Sequence, residues 1–475
     1  MGQEIGKTTF SDREFAAFQY KLEVETSLLA RLVRDNGCSS QGPVTGFELE
    51  AWLVDAELNP APRNAEFLAA MDDEMASPEL ARFNVEFNNA PRRVEGSVLS
   101  RLQGDVEAIW HKAERTAKSL DLGLLAIGIL PTLPDSVLNL ANLSAMNRYR
   151  ALNEQIQALR RHEPVKLEIC GHEHLALTHY DVMLESAATS YQIHLQVPLD
   201  RVREYYNAAI LASAPMVGVS ANSPFLFGKD LWAETRIPLF EQAVDTGGYR
   251  DAAHGPVRRV SFGTGYALHA ISEPFQENLE HFPVLLPIVT ESPPEQFAHL
   301  RLHNGTIWRW NRALAGFDPD GTPHVRLEHR VIPAGPTITD MVANTALFYG
   351  LVESFVERGF EHDIPFAIAR DNFYEAARLG LQGMMAGRTG EKRRLAAWVL
   401  DELLPAAETG LRRLQLDAGE IARYLGIVEG RTASGLTGSE WQRRFIARHP
   451  QDFTALTREY LNLQRTGEPV HLWPL

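Results

Sequence analysis

The chain has 475 residues, of which 45% are hydrophobic, and a formal net charge of −15. This acidic balance argues against binding to nucleic acid or to an anionic membrane, because both surfaces attract clustered Lys and Arg. Two cysteines are too few for a disulfide framework, and no stretch approaches the roughly 20 apolar residues that span a bilayer. We therefore predict a cytoplasmic globular protein, and the sequence leaves homo-oligomer formation open.

The N-terminal region predicts a helix followed by a strand with two neighbouring carboxylates. Residues 13–35 carry apolar side chains at helical spacing. In residues 46–54 (GFELEAWLV), strand alternation places Glu48 and Glu50 on one face and apolar side chains on the other. Like charges side by side on a half-buried strand repel unless a cation or Arg neutralises them. This stretch alone is compatible with a divalent metal site or with an ordinary solvent-facing sheet.

A second strand of the same design follows at residues 82–91 (RFNVEFNNAP). Its apolar residues alternate with polar ones, and Glu86 lies on the polar face. Helices are predicted at 97–120 and 144–161, with a buried strand at 122–133 between them. These elements do not repeat the strand–helix–strand unit that is typical of a parallel sheet.

Residues 189–198 (TSYQIHLQVP) predict a third strand, with Gln192, His194 and Gln196 on its polar face. A single His on such a face is more often a structural residue than a ligand. The preceding run HEHLALTH at 172–179 contains zinc-ligand residue types, but no third ligand follows at a recognised spacing. We therefore interpret its histidines as polar loop residues.

A fourth amphipathic strand is predicted in residues 324–337 (HVRLEHRVIPAGPT). Its polar face carries Arg326, Glu328 and Arg330. Three further arginines lie between the third and fourth strands, one on a helix predicted at 230–243 and two in a Trp-rich stretch: Arg236, Arg309 and Arg312.

Together the four strands predict an α+β fold with one curved, mainly antiparallel sheet, whose polar face is the active surface. That face presents five potential metal ligands: Glu48, Glu50, Glu86, His194 and Glu328. Carboxylates and His suit Mg²⁺ or Mn²⁺, while Arg residues bind anionic oxygens. The combination favours phosphoryl transfer from ATP.

Beyond residue 340 the sequence becomes helical and richer in Leu and Ala. We predict that its helices pack on the apolar face of the sheet or form a helical subdomain. The chain is accordingly divided into a catalytic sheet domain with an N-terminal helix at 1–340 and a mainly helical region at 341–475.

The ordered set of strand motifs resembles the carboxylate–amine ligases of the glutamate–cysteine ligase type, which are related to glutamine synthetase. The resemblance rests on GFELE, NVEFNNAP, TSYQIHLQV and VRLEHRVIPAGPT, with weaker support from IWRWNR and TGSEWQ. It implies that the sheet forms a funnel with ATP at one end and metal ions, Mg²⁺ or Mn²⁺, bound on the sheet.

By matching positions, the resemblance implies that Glu48, His194 and Glu328 bind the ion that assists phosphoryl transfer, and that Glu50 and Glu86 bind a neighbouring ion. Arg326, Glu328 and Arg330 are the predicted catalytic residues. Four others are predicted substrate or phosphate contacts: Arg236, Arg309, Arg312 and Gln192.

The implied reaction has two steps with small-molecule substrates. A carboxylate, which the resemblance suggests is L-glutamate, attacks the γ-phosphate of ATP, and an amine such as L-cysteine then displaces phosphate from the acyl phosphate. Three alternatives remain. They are a guanidino kinase-like phosphotransferase, a nucleotide-binding regulator without activity, and a zinc hydrolase built on the histidines His172, His174, His179 and His194.

Overall fold

A computed structural model describes residues 4–246, 249–251, 255–360 and 363–474. The helices are α1 (Asp12–Arg34), α2 (Asn64–Met71), α3 (Val98–Ser119), α4 (Asn147–Leu159), α5 (Val202–Ser220), α6 (Arg236–Ala243), α7 (Glu273–His281), α8 (Ala298–Asn304), α9 (Ile338–Arg358), α10 (Phe366–Leu379), α11 (Leu395–Trp398), α12 (Leu404–Arg413), α13 (Ala418–Ser434), α14 (Gly438–Arg448) and α15 (Phe453–Gln464). A π-helical segment, Val399–Leu403, joins α11 to α12.

The strands are β1 (Val44–Val54), β2 (Ala76–Pro78), β3 (Asn84–Asn88), β4 (Arg92–Arg93), β5 (Gly123–Leu125), β6 (Val165–Cys170), β7 (His174–His179), β8 (Tyr191–Gln196), β9 (Phe225–Leu226), β10 (Lys229–Asp230), β11 (Tyr249–Asp251), β12 (Gly255–Val257), β13 (Val260–Ser261), β14 (Trp308–Arg309), β15 (Asn311–Phe317), β16 (Pro323–His329), β17 (Met384–Ala386) and β18 (Lys392–Arg394).

The central sheet is antiparallel at every pairing between its strands, in the order β15-β16-β8-β1-β3-β2, and β4 and β5 also pair with β1. The four strands predicted from alternation are therefore direct neighbours. The sheet curls, and helices flank it, which confirms the predicted α+β fold with a curved antiparallel sheet.

The register of the sheet brings the predicted polar residues onto one face. Glu48 lies opposite Gln192, and His194 lies opposite Glu328. Because side chains opposite each other in an antiparallel pair point to the same face, these residues of β1, β8 and β16 share one surface. The alternation in the sequence thus predicts both the strands and the face on which their polar side chains meet.

Helix α9 packs on the apolar face of the sheet. Thr345 on α9 donates a hydrogen bond to the hydroxyl of Tyr191 over 3.2 Å. The ring of Phe348 stacks on His329 with 4.2 Å between the ring centres. The hydroxyl of Thr337 caps the helix by accepting from the backbone of Asp340. The predicted helical C-terminal region is confirmed, while the boundary at residue 340 stays a prediction.

Several predictions differ from the structure. The histidine run at 172–179 was interpreted as a loop, but His174–His179 form strand β7, which pairs with β6. The strand predicted at 324–337 ends at His329. Only Gly123–Leu125 of the predicted strand 122–133 pairs with the sheet, because the next backbone amide, that of Ala126, donates to Gln464 instead. The predicted helix 230–243 begins only at Arg236, because the preceding residues form strand β10 and a turn. No helix in the described part of the chain is both long and apolar enough to cross a membrane.

Candidate active site

Three side chains from neighbouring strands converge on the polar face of the central sheet. They are Glu48 on β1, His194 on β8 and Glu328 on β16. The Nε2 atom of His194 lies 3.3 Å from Oε1 of Glu48 and 3.8 Å from Oε1 of Glu328. This buried nitrogen makes no hydrogen bond with any described residue. A buried ring nitrogen between two carboxylates fits the ligand set of a divalent cation.

A second cluster lies beside the first and consists of Glu50 on β1, Glu86 on β3 and Glu79, which follows β2. Glu50 and Glu86 are directly opposite in the register, and the three residues have ligand oxygens within 4.8 Å of one another. Burial, together with the charge of nearby Glu48, raises the pKa of Glu86 to about 7. Neighbouring negative charges disfavour the ionised form of each carboxyl group in the cluster, so a bound cation would relieve their repulsion.

Gln192 lies between the two clusters. Its Nε2 donates to Oε1 of Glu50 over 2.9 Å, and its Oε1 accepts from Nη1 of Arg330 over 2.8 Å. The same nitrogen of Arg330 also donates to Oε2 of Glu328 over 3.1 Å. A continuous path of hydrogen bonds therefore connects a carboxylate of one cluster with a carboxylate of the other.

Arginines surround the first cluster. Arg312 donates to both carboxylate oxygens of Glu328, from Nε over 2.9 Å and from Nη2 over 2.8 Å. Burial opposes the ionisation of Glu328, but Arg312 and Arg330 outweigh it and lower the pKa of this carboxyl well below its usual range. The Nε atom of Arg326 lies 3.2 Å from Nδ1 of His194 and places a positive charge beside the imidazole ring.

Burial also opposes the ionisation of Glu48, but the adjacent His194 outweighs it and lowers the pKa of Glu48 to about 2. Glu48 and Glu328 are thus ionised at neutral pH. Ionised carboxylates are the form that binds Mg²⁺ or Mn²⁺.

Two of the predicted arginines contact protein groups outside the two clusters. Arg236, at the start of α6, donates from Nη2 to the backbone carbonyls of Arg330 and Val331, at 3.1 and 2.5 Å. Arg309 lies 3.2 Å from Glu277 on α7. Arg236 therefore holds the chain that carries Arg330, whereas the ion pair of Arg309 involves neither cluster.

The histidines of the zinc-hydrolase alternative do not converge. Three of them have separate carboxylate partners, at 3.0, 3.2 and 2.7 Å: His172 with Asp230, His174 with Glu168 and His179 with Asp135. The fourth, His194, lies in the carboxylate cluster on the sheet.

Two carboxylates near the site were not found from the sequence. Glu79 belongs to the second cluster, and Glu185 lies in the 3-10 turn Met183–Ala187 that precedes β8. Burial and the charge of Glu50 raise the pKa of Glu185 to about 8, although Arg330 opposes the shift. Both residues lie outside the long alternating strands, so periodicity gave no signal for them.

The sequence profile described as "Glutamate-cysteine ligase family 2(GCS2)" matches residues 44–462. The chain belongs to this family. The match contains all four strands of the polar face and most of the C-terminal helices, so the resemblance recognised from the strand motifs is confirmed. A search of curated proteins found no significant match.

Solved structures of two ligases share the fold of this GCS2 member. The glutamate–cysteine ligase from Francisella tularensis, solved with AMP, is 10% identical with a TM-score of 0.53, and the match covers 90% of each chain. The bifunctional glutathione synthetase from Pasteurella multocida is 11% identical with a TM-score of 0.50, over 93% of this chain and 55% of that one. At these identities the likeness shows the fold alone.

Proposed function

We propose that this GCS2 member is an ATP-dependent ligase that joins a carboxylate to an amine through an acyl phosphate and releases ADP and phosphate. Family membership supports the reaction class. The structural observation that carries the proposal is the pair of carboxylate clusters linked through Gln192 and Arg330. Cation ligands and fixed arginines on one surface suit the transfer of a phosphoryl group.

The arginines act on the charge of the transferring phosphoryl group in this proposal. Arg330 is already positioned by Gln192 and Glu328 before substrate binds, so it needs little reorganisation as negative charge develops. Arg326 contributes a second positive charge beside His194. Arg312 orients the carboxylate of Glu328 with its two hydrogen bonds.

Mg²⁺ or Mn²⁺ fits both clusters, because carboxylate oxygens with at most one imidazole are typical ligands of these hard cations. One ion would be held by Glu48, His194 and Glu328, and the other by the second cluster, Glu50, Glu79 and Glu86. When bound, such ions neutralise phosphate oxygens and orient ATP. The buried and unpartnered Nε2 of His194 supports this assignment.

We propose L-glutamate as the carboxylate and L-cysteine as the amine, because these substrates define the reaction for which the family is named. Gln192 contacts both clusters and is the proposed positioning residue for the substrate or its phosphate, whereas Arg236 acts through the backbone of Arg330 and Val331. Arg309 stays a predicted contact.

The direct test measures ADP released by the purified protein with ATP, Mg²⁺ and each substrate alone or both together. A ligase forms its product and continues to release ADP only when the carboxylic acid and the amine are both present. A guanidino kinase would release ADP with a guanidino compound and no carboxylic acid. A regulator would release none with any acid and amine pair. Either result would overturn the proposal.

A further inference from the structure

A third group of potential metal ligands lies on the β6–β7 hairpin and belongs to neither cluster of the central sheet. It consists of Glu168 and Cys170 on β6 and His174 on β7, with ligand atoms within 4.8 Å of one another. Cys170 and His174 are directly opposite in the antiparallel register, and Glu168 is two residues before Cys170. All three side chains are therefore exposed on the same face of the hairpin.

The neighbouring chain fixes the turn between Cys170 and His174. The indole nitrogen of Trp232 donates to the carbonyl of Cys170 over 2.9 Å. A Cβ atom at Gly171 would lie 2.4 Å from the backbone carbon of Leu231, so only glycine allows this close approach. The positions of the thiol and the imidazole are thus set by rigid backbone, which lowers the cost of ordering a ligand set.

The residue types select the cation. A thiol, an imidazole and a carboxylate form a softer ligand set than the carboxylate clusters of the sheet, and together they suit Zn²⁺ rather than Mg²⁺. Three protein ligands also leave a fourth position open to water or to another ligand. We propose that Glu168, Cys170 and His174 form a binding site for Zn²⁺ or a cation of the same class.

A cavity of about 540 Å³ adjoins this site. The residues that line it include Glu168 and Cys170, together with Glu241, Tyr374 and Arg378. The open position of the bound cation would therefore have room for an exogenous ligand at the rim of the cavity.

The cysteine content of the chain makes the proposal easy to test. The only other cysteine, Cys38, is buried, and burial raises the pKa of its thiol to about 11. Cys170 is exposed. A thiolate–metal signal can thus be assigned to one residue, with Cys38→Ser as the matched control.

The experiment titrates Co²⁺, a spectroscopic substitute for Zn²⁺, into the full chain reduced with a phosphine. We expect a thiolate-to-cobalt charge-transfer band that saturates at one equivalent, survives in Cys38→Ser, disappears in Cys170→Ser and is displaced by Zn²⁺. Loss of an outer-shell partner typically weakens metal binding about 10–100-fold. His174→Ala removes a direct ligand, so it should weaken Co²⁺ binding by more than this. The oxygen ligands of the sheet clusters give no thiolate band, so the result does not depend on ligase activity.

A second readout uses the unmodified chain and so does not depend on variants that fold. Zn²⁺ should slow alkylation of Cys170 at least tenfold, and an excess of Mg²⁺ should leave the alkylation rate unchanged. The proposal is wrong if no charge-transfer band appears and Zn²⁺ does not slow the alkylation of Cys170. A band that persists in Cys170→Ser would also overturn it.

Discussion

Arg330 donates a hydrogen bond of 2.8 Å to Gln192, and through this bond the two carboxylate clusters of the sheet are connected. Gln192 is buried, and its other amide atom donates to Glu50. A glutamine supplies one acceptor and one donor group, so it satisfies an arginine on one side and a carboxylate on the other. Leucine has a similar size but can do neither.

Gln192→Leu should therefore lower kcat and, by leaving buried polar groups unpaired, cost about 1–3 kcal/mol of unfolding free energy. Gln103→Leu is the matched control, because Gln103 accepts from Tyr424 on α13 and takes no part in either cluster. Steady-state kinetics and denaturant unfolding test the pair. We expect both variants to lose similar unfolding free energy, and only Gln192→Leu to have a lower kcat. Equal kcat values in the two variants would show that Gln192 has no role in the reaction.

Glu50→Gln and Glu86→Gln should each weaken the dependence of activity on Mg²⁺ or Mn²⁺ while leaving the fold intact. Each change removes a ligand charge from a preformed sheet, so the metal concentration for half-maximal activity should rise by more than about tenfold. The matched control is Glu74→Gln, at an exposed position outside both clusters. Metal titration of activity measures the effect. Variants that keep the rate and metal dependence of the unmodified chain would contradict the assignment.

Arg330→Ala should lower kcat much more than it raises the KM for ATP. An arginine that stabilises charge developing in the transition state contributes little to ground-state binding, and removing one such donor typically costs on the order of 10²–10³-fold in kcat. Initial rates at varied ATP concentration separate the two parameters. If kcat is unchanged and the KM for ATP rises, Arg330 is a ground-state contact of the nucleotide.

Glu241 gives a prediction for the pH dependence of stability. Burial outweighs the hydrogen bonds that its Oε1 accepts from Trp310 and Tyr374 and raises its pKa from 4.5 to about 7. The folded state therefore binds this proton more tightly than the unfolded state. The resulting stabilisation is complete below pH 4.5 and is lost as the pH rises through about 7.

Glu241→Gln keeps an acceptor oxygen for both hydrogen bonds but cannot ionise. We expect it to flatten the fall in unfolding free energy between pH 4.5 and 7, as measured by denaturant titration at a series of pH values. An unchanged slope in the variant would show that Glu241 does not titrate in this range.

Alternation of apolar and polar residues predicted the strands. The register of the sheet then places residues that are far apart in the chain next to one another. Glu48, His194 and Glu328 meet because β1, β8 and β16 are neighbours, and each residue was on the polar face of its predicted strand. The helices after residue 340 were visible from apolar spacing, since their buried faces pack on one another and on the sheet.

The two carboxylates that were not found from the sequence lie where apolar and polar residues do not alternate regularly. Glu79 follows the three-residue strand β2, and Glu185 lies in a 3-10 turn, so neither had a repeating neighbour to define its face. Arg309 was predicted as a contact from a Trp-rich stretch, and the structure places it on β14, which pairs in parallel with β13 in a separate small sheet. The partner of a two-residue strand is set by tertiary packing, which a local pattern does not reveal.

The measurement that tests the central claim most directly replaces the unknown amine with hydroxylamine. If the protein forms an acyl phosphate, then ATP, Mg²⁺ or Mn²⁺ and the correct acid, with L-glutamate first in the panel, should yield a hydroxamate and ADP in equal amounts. Glu328→Gln, correctly folded, should lose both products, because the change acts on phosphoryl transfer before amine capture. AMP and pyrophosphate in place of ADP, or ADP without any hydroxamate, would contradict the account.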